Sequence, residues 1–262
     1  MQRADEKINN MKPNSGKKRI VFTGSAGFLG RALYRAFEGD YGLRLSDVVA
    51  FESEHESVIG DVTDFSFCQR LVKGMDLLVV AHMMPHPYGE NPSRAFDVNV
   101  KGVANLFHAA RQEGIKRACL ISSTSVCGDP DPAADCSGLP PVGYDLYSST
   151  KACQEVIAQA CHVQSGMEVA SLRVGYVVDC GEKMDKYGKS FEEFLPGMVD
   201  RHDVGEVARK FLELPGLGYK AMHVYSFSEP GNYPSALPTF EFLNWKSRYS
   251  TADAEACISA CQ

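Results

Sequence analysis

No stretch of this chain approaches the roughly 20 consecutive apolar residues that a membrane helix requires. The polar opening segment, with Asp5, Glu6, Lys7, Asn9 and Asn10, lacks the hydrophobic core of a secretion signal. Both absences point to a cytoplasmic protein. Positive charge is not in excess either: 27 Lys and Arg against 33 Asp and Glu leave a net charge of −6. No general basic field exists for nucleic acid or an anionic membrane, and the local run Lys17-Lys18-Arg19 flanks the first expected strand. The nine cysteines include no CxxC pair, so the usual metal and redox spacings are missing. Scattered through strand-like and helix-like segments, most of them are expected to be buried, reduced and inert. Cys257 and Cys261 are one helical turn apart but lack further ligands, and no metal site is expected. There is no internal repeat and no low-complexity tract.

What is present is 262 residues, 44% hydrophobic and 23% charged, enough for one large core or two unequal lobes. Residues 1–17 show no periodicity and are expected to form a flexible tail. From Arg19 apolar runs alternate with amphipathic stretches. Strands are expected over Arg19 to Phe22, Leu43 to Asp47, Leu77 to Ala81, Ala118 to Ser122 and Val169 to Arg173, with helices starting near Gly27, Phe65, Ser93, Tyr147 and Val204. This βαβ rhythm predicts an α/β fold: a doubly wound parallel sheet with helices on both faces and ligands beyond the carboxyl ends of the strands. After Arg173 the rhythm weakens, and the connections Pro196-Gly197, Pro215-Gly216 and Pro230-Gly231 punctuate the remainder.

Thr23-Gly24-Ser25-Ala26-Gly27-Phe28-Leu29-Gly30 follows the first strand and opens the first helix. In that context Gly24, Gly27 and Gly30 suit a phosphate-binding turn, with the N–H groups around Phe28 and Leu29 facing a pyrophosphate and the helix dipole behind them. A purely structural turn is the alternative. The next strand ends at Asp47, roughly twenty residues further on, where a carboxylate can accept both ribose hydroxyls and would repel a 2′-phosphate, favouring NAD over NADP. A strand-end Asp in a turn is the competing reading. Gly60-Asp61-Val62-Thr63-Asp64 ends a further short strand: Asp61 and Val62 are candidates for the adenine side, and Thr63 or Asp64 for a helix N-cap. The core over 18–175 is thereby expected to be a Rossmann-type NAD-binding unit, with residues 176–262 supplying a small substrate lobe and the remaining core elements.

TGxxGxxG, the GDVTD element, Asn99-Val100-Lys101-Gly102-Val103-Ala104-Asn105, the strand end Ser122-Ser123-Thr124-Ser125-Val126 and Tyr147-Ser148-Ser149-Thr150-Lys151 stand here in a particular order and spacing. In that order the chain resembles the extended short-chain dehydrogenase/reductase family, also called NAD-dependent epimerase/dehydratases, over roughly residues 19 to 175. Its end, with Leu243-Asn244-Trp245-Lys246, is similar to that of the uronate dehydrogenases within the family. The resemblance implies Tyr147 as general base or acid, Lys151 holding the nicotinamide ribose, Ser123 aligning the reacting hydroxyl or carbonyl, and Asn99 supporting the lysine through water. It also implies small residues such as Ala81 where backbone passes the cofactor ribose. A homodimer is expected by pairing of the helices carrying Asn99 and Tyr147; Val100, Val103, Leu106 and Phe107 could serve that interface or the core.

The chemistry asked of Tyr147 is removal of a hydroxyl proton as hydride leaves the same carbon. Tyrosine ordinarily titrates near 10, but a unit charge ~4 Å away at an effective dielectric near 20 is worth about 4 kcal/mol, roughly three pKa units. A lysine one turn along the helix can supply that charge. Ser122, Thr124 and Ser125 are candidate strand-end caps, with Thr124 and Ser125 alternatively lining the substrate pocket.

Two departures from the family pattern matter. His82-Met83-Met84-Pro85-His86-Pro87 stands where small residues are usual, and a loop lining the substrate site is expected there. Its prolines argue against a helix that would present both histidines to a metal. Uronate dehydrogenases place Asn-His after the paired serines, and an arginine for the substrate carboxylate after a Leu-Arg-Ile-Gly strand. Here Thr124-Ser125 occupy the first position, and Leu172-Arg173-Val174-Gly175 is followed by Lys183, Lys186 and Lys189, with no arginine before Arg201. A lysine can neutralise a carboxylate without the bidentate guanidinium geometry.

The expected function is an NAD-dependent oxidoreductase acting on a small sugar or sugar acid. A nucleotide-sugar epimerase or dehydratase with tightly held NAD would use the same residues but needs a larger C-terminal lobe. A non-catalytic NAD sensor has no chemical need for Ser123, Tyr147 and Lys151 together.

Overall fold

The computed structural model describes residues 16–84, 91–128, 140–195, 197–226 and 237–249. The first and last stretches, 1–15 and 250–262, lie outside the described residues, and with them all but the last two residues of the expected tail, and Cys257 and Cys261.

Alternation within each strand sorts side chains onto two faces, and each face meets its own layer of helices. In β1 (Arg19–Thr23), Ile20 and Phe22 enter one core cluster while Val21 enters the other. After α1 (Phe28–Arg35) come β2 (Gly42–Asp47), β3 (Glu56–Ile59), α2 (Phe65–Val72) and β4 (Leu77–Val80), in which Leu77 and Val79 oppose Leu78 and Val80 in the same way. The next helix runs as α3 (Pro92–Phe96), a π-helical turn over Asp97–Lys101, and α4 (Gly102–Glu113), with right-handed helical torsions across both joins. It leads into β5 (Arg117–Ser123), α5 (Leu146–Ser165) and β6 (Glu168–Val174). Asn91, accepting from the Arg94 amide, and Pro92 at the first position start α3. Asp64 caps α2, settling the Thr63 or Asp64 alternative. A reciprocal capping box between Asp145 and Ser148 starts α5.

All seven strands of the central sheet are parallel, in the order β10-β6-β5-β4-β1-β2-β3, with β10 at Tyr219–Val224. The chain runs outward one way from β1 through β2 to β3 and the other way from β4 through β5 to β6, so the order reverses between β1 and β4. The expected doubly wound sheet is present, and its crevice lies at that reversal.

The part after Arg173 is divided. A three-stranded sheet of β7 (Tyr176–Asp179), β8 (Met184–Asp185) and β9 (Met198–Asp200) stands apart. By contrast α6 (Arg201–Glu213) packs on α1, where Gly205 lets the helices close: a Cβ there would meet the Ala32 carbonyl oxygen at 3.0 Å. β10 extends the main sheet beyond β6. The C-terminal α7 (Leu237–Leu243) is followed by buried Trp245, whose Nε1 donates to Glu206. Val103, Leu106 and Phe107 are buried in the chain's own core, while Val100 is half-buried. No helix among the described residues is long and apolar enough to cross a membrane.

Candidate active site

At the reversal between β1 and β4 a cleft of about 460 Å³ opens beyond the carboxyl ends of the strands. Its floor is the glycine loop. Gly24 has a left-handed φ of +74°, and a Cβ there would come within 2.7 Å of the Ala81 and His82 backbone. Gly27 caps α1 without a side chain to occupy the first N–H groups of the helix, which is what an anion at that end requires. Gly30 lies against the loop itself, since a Cβ on it would stand 2.0 Å from the Gly24 carbonyl oxygen. Asp47 fastens the loop to β2: Oδ2 accepts from the Ala26 amide at 2.9 Å and Oδ1 from the Val48 amide at 2.7 Å.

Gly24, Gly27, Phe28, Leu29, Gly30, Asp47, Asp61, Val62, Ala81, Tyr147 and Lys151 all line this cleft. Asp61 is already engaged, accepting from Arg94 at 2.6 Å and from the Thr63 amide at 2.9 Å. Burial acts to raise its carboxyl, but those hydrogen bonds outweigh it and hold the group below its ordinary range. Lys151 is buried and donates from Nζ to the Ile121 carbonyl at 2.8 Å. Burial brings its ammonium down to about 8, against support from Glu155 and with a further push from the positive Lys186. Glu155, one helical turn beyond Lys151, accepts from Ser122 Oγ at 2.6 Å and pairs with Arg173 at 2.8 Å, both partners being almost fully buried.

Ser123, Thr124, Ser125 and Asn99 are not among the lining residues. Ser123 Oγ accepts from the Ser125 amide and from Ser125 Oγ, at 3.2 and 2.9 Å, so Ser123 is the cap of the 3₁₀ turn Thr124–Val126. Asn99 sits buried in the π-helical turn. Its Oδ1 accepts from the Met84 amide, its Nδ2 donates to Thr150 Oγ1, and its carbonyl accepts from Gln154 Nε2 at 2.8 Å. It thus ties the β4 loop and α5 together.

Among the further lining residues, His82, Met83 and Lys186 lie in segments the sequence singled out, whereas Arg94 was not anticipated. His82 and Met83 line the cleft, with His82 Nδ1 2.8 Å from Thr23 Oγ1 and Nε2 3.2 Å from the Val98 carbonyl. A carbonyl only accepts, so Nε2 carries the proton and Nδ1 accepts from the threonine. Burial, together with the charge of Lys151, brings the imidazole down to about 4. His86 lies outside the described residues. Arg94 reaches the cleft through its pair with Asp61. Lys186 enters from the small sheet, its Nζ 5.6 Å from the centre of the Tyr176 ring and 5.2 Å from that of Tyr187. Arg201 instead pairs with Asp179 at 2.5 Å and stacks on Phe28 at 4.6 Å, bracing the start of α1 from behind.

A parallel sheet that reverses its order above a glycine loop, with Tyr147 and Lys151 from one helix in the same cleft, defines a dinucleotide-binding protein of the short-chain dehydrogenase/reductase class. The model of the NAD dependent epimerase/dehydratase family matches residues 20–216, and the chain belongs to that family. A 3 beta-hydroxysteroid dehydrogenase/Delta 5-->4-isomerase of Mycobacterium tuberculosis is 30% identical over 200 residues, covering 69% of this chain and 52% of that protein. A uronate dehydrogenase of Pseudomonas syringae pv. tomato is 30% identical over 167 residues, covering 60% of this chain and 58% of that one. The chain spans about half the length of the curated relatives it matches. Among solved structures, uronate dehydrogenase from Agrobacterium tumefaciens superposes with a TM-score of 0.75 at 22% identity, over 94% of this chain and 90% of that chain, a likeness of fold.

Proposed function

We propose that this protein transfers hydride between NAD and a small sugar or sugar acid, with Tyr147 as the proton-transferring residue. One observation supports the reading above others: Tyr147 and Lys151 line the same cleft as the uncapped start of α1 and the Asp47 carboxylate. The fit to NAD is good. The α1 terminus would take the pyrophosphate, and Asp47, whose oxygens retain acceptor capacity beyond their amide bonds, would take the adenine ribose. NAD, when bound, supplies the hydride acceptor.

The chain's own part is to position the substrate and move its proton. Lys151 is cationic at neutral pH, its ammonium titrating at about 8, and its charge favours the phenolate of Tyr147. A phenolate accepts the hydroxyl proton of an alcohol and returns it when the reaction runs backwards. Ser123 stands at the end of β5, two residues beyond the carbonyl that anchors Lys151. Breaking its bonds with Ser125 would release its Oγ to align the reacting oxygen. A sugar acid is favoured over a neutral sugar because Lys186 and Lys151 bring two cations to one cleft, and an anionic substrate relieves their repulsion.

The test is NADH formation by the purified protein with NAD and D-glucuronate, D-galacturonate, D-glucose, L-arabinose or a 3β-hydroxysteroid, repeated with Tyr147→Phe. The expected result is turnover of a uronate that falls by at least ~100-fold in the variant while NAD binding, measured by calorimetry, persists. Turnover of the steroid alone would overturn the substrate class. Full activity of Tyr147→Phe would overturn the role of the tyrosine.

A further inference from the structure

Outside the cleft lies a cysteine with the neighbours of a nucleophile. Cys127 is half-buried, follows the 3₁₀ turn after β5 and pairs with Val142 on the approach to α5. Its Sγ is 3.3 Å from His223 Nε2 and 3.7 Å from Arg173 Nη1. These two residues face each other as register partners on β10 and β6, and each is buried to 1% exposure. They are therefore held rigidly beside the sulfur. Arg173 directs Nε and Nη2 to the Glu155 carboxylate, which leaves the Nη1 edge turned toward Cys127. Among the described residues the charged and titratable surroundings include His223 from β10, Arg173 from β6 with Tyr219 in its field, and Glu155 of α5 on the far side of the guanidinium.

An imidazole able to take the proton and a guanidinium able to stabilise the anion are the surroundings that turn a thiol into a thiolate. The other described cysteines differ. Cys68, Cys119, Cys161 and Cys180 are buried, burial pushes the Cys68 thiol up to about 12, and Cys153 is half-buried on α5, away from the His223 and Arg173 pair. We propose that Cys127 is a reactive thiol, a modification site for peroxides and soft alkylating electrophiles, with His223 as its proton acceptor. In the reaction with hydrogen peroxide, the thiol proton moves to His223 and the sulfur attacks one peroxide oxygen. The S–O bond forms as the O–O bond breaks, sulfur losing two electrons and the peroxide gaining them. The departing hydroxide takes the proton back from His223 as water, and Cys127 is left as a sulfenic acid. With iodoacetamide the S–C bond forms, iodide leaves and the proton passes through His223 to solvent. Neither reaction depends on the substrate of the cleft.

The experiment is timed iodoacetamide labelling of the intact, reduced protein between pH 6 and 9, with peptide mapping by mass spectrometry and N-acetylcysteine as reference thiol in the same tube. An ordinary thiol loses about tenfold in rate per pH unit below its titration near 8.5. The Cys127 peptide is expected to keep most of its rate down to pH 6.5, where the reference has lost about a hundredfold; the lower nucleophilicity of a low-pKa thiolate trims the net excess to about tenfold. In His223→Gln the profile should move toward that of the reference. A wild-type Cys127 that follows the reference profile, or stays unlabelled while the protein is folded, overturns the proposal without recourse to any variant. A folded His223→Gln with the parental profile overturns the role of His223.

Discussion

His82 carries two structural bonds on one ring, one to the end of β1 through Thr23 and one to the π-helical turn through Val98. The Thr23 bond requires the neutral imidazole, whose Nδ1 accepts, while the Val98 bond also suits the charged ring; burial and Lys151 outweigh it, and titration at about 4 rather than 6.5 says that the folded chain resists protonating His82. The sign of the consequence follows from linkage. Between pH 6.5 and about 4 the unfolded chain binds a proton that the folded chain does not, so stability falls as the pH drops through that window. The loss is complete below it. A shift of this size corresponds to at most about 3 kcal/mol. Urea unfolding at pH 7, 5.5 and 4.5 should show that slope in the parent and a flatter one in His82→Gln, whose amide can bond both partners without titrating. Equal slopes would mean that His82 protonates as easily folded as unfolded. The sequence placed this ring in a loop lining the substrate site but announced neither of its bonds. Gly24, Asp47, Tyr147 and Lys151 were legible because each stands in a pattern with a chemical reason for its spacing. Arg94 was not, and for His82 and Lys186 only a place near the substrate was expected and not their contacts, because the cleft acquires them through segments far apart in the chain: β4 with the π-helical turn, α3 with Asp61, the small sheet with the mouth of the cleft.

Among the elements, the start of α1 is the most constrained. Gly30 is the third residue of that helix and sits so close to the loop that a Cβ would lie 2.0 Å from the Gly24 oxygen and 2.8 Å from its carbonyl carbon. Those atoms are backbone, and the Gly24 carbonyl is itself held by the Gly27 amide at 3.2 Å, so no flexible side chain can give way. Gly30→Ala must therefore push α1 off the loop. The expected cost is about 3 kcal/mol, visible as a lower melting temperature, with loss of NAD affinity because the N–H groups leave their position. A variant with parental stability and affinity would show that helix and loop are not packed this tightly. The expected strands were legible by apolar patterning bounded by turn residues: β1 and β4 are continuous apolar runs, as buried parallel strands are, and β2 alternates Leu43 and Leu45 with polar neighbours. The pieces that were not legible are weak signals for physical reasons. β7, β8 and β9 have four, two and three residues, too few for a periodicity. The π-helical turn is invisible to a 3.6-residue pattern, although it is what brings Asn99 beneath Met84 and beside Gln154.

For the whole molecule, the remaining core elements expected after residue 175 are α6 and β10, although the rhythm that would mark them weakens after Arg173. Val204, Val207 and Phe211 of α6 bury themselves in the same cluster as Ile20, Phe22 and Leu33, and β10 pairs with the full length of β6 from Val169 to Val174. The cofactor unit expected over residues 18–175 thus contains the glycine loop but not the helix that covers its face or the strand that closes its edge. Cutting the chain at 175 would expose the apolar face of β1 and α1 and leave every outward amide and carbonyl of β6 unpaired, the arrangement that recruits other chains. The 18–175 fragment is accordingly expected to bind a hydrophobic dye, melt without a cooperative transition and bind NAD poorly. Restoring the chain through residue 226, which adds α6 and β10, should recover a cooperative transition even without α7. A soluble 18–175 fragment that unfolds cooperatively and binds NAD like the full chain would show instead that the glycine loop needs neither α6 nor β10, and would place the domain boundary at residue 175 after all.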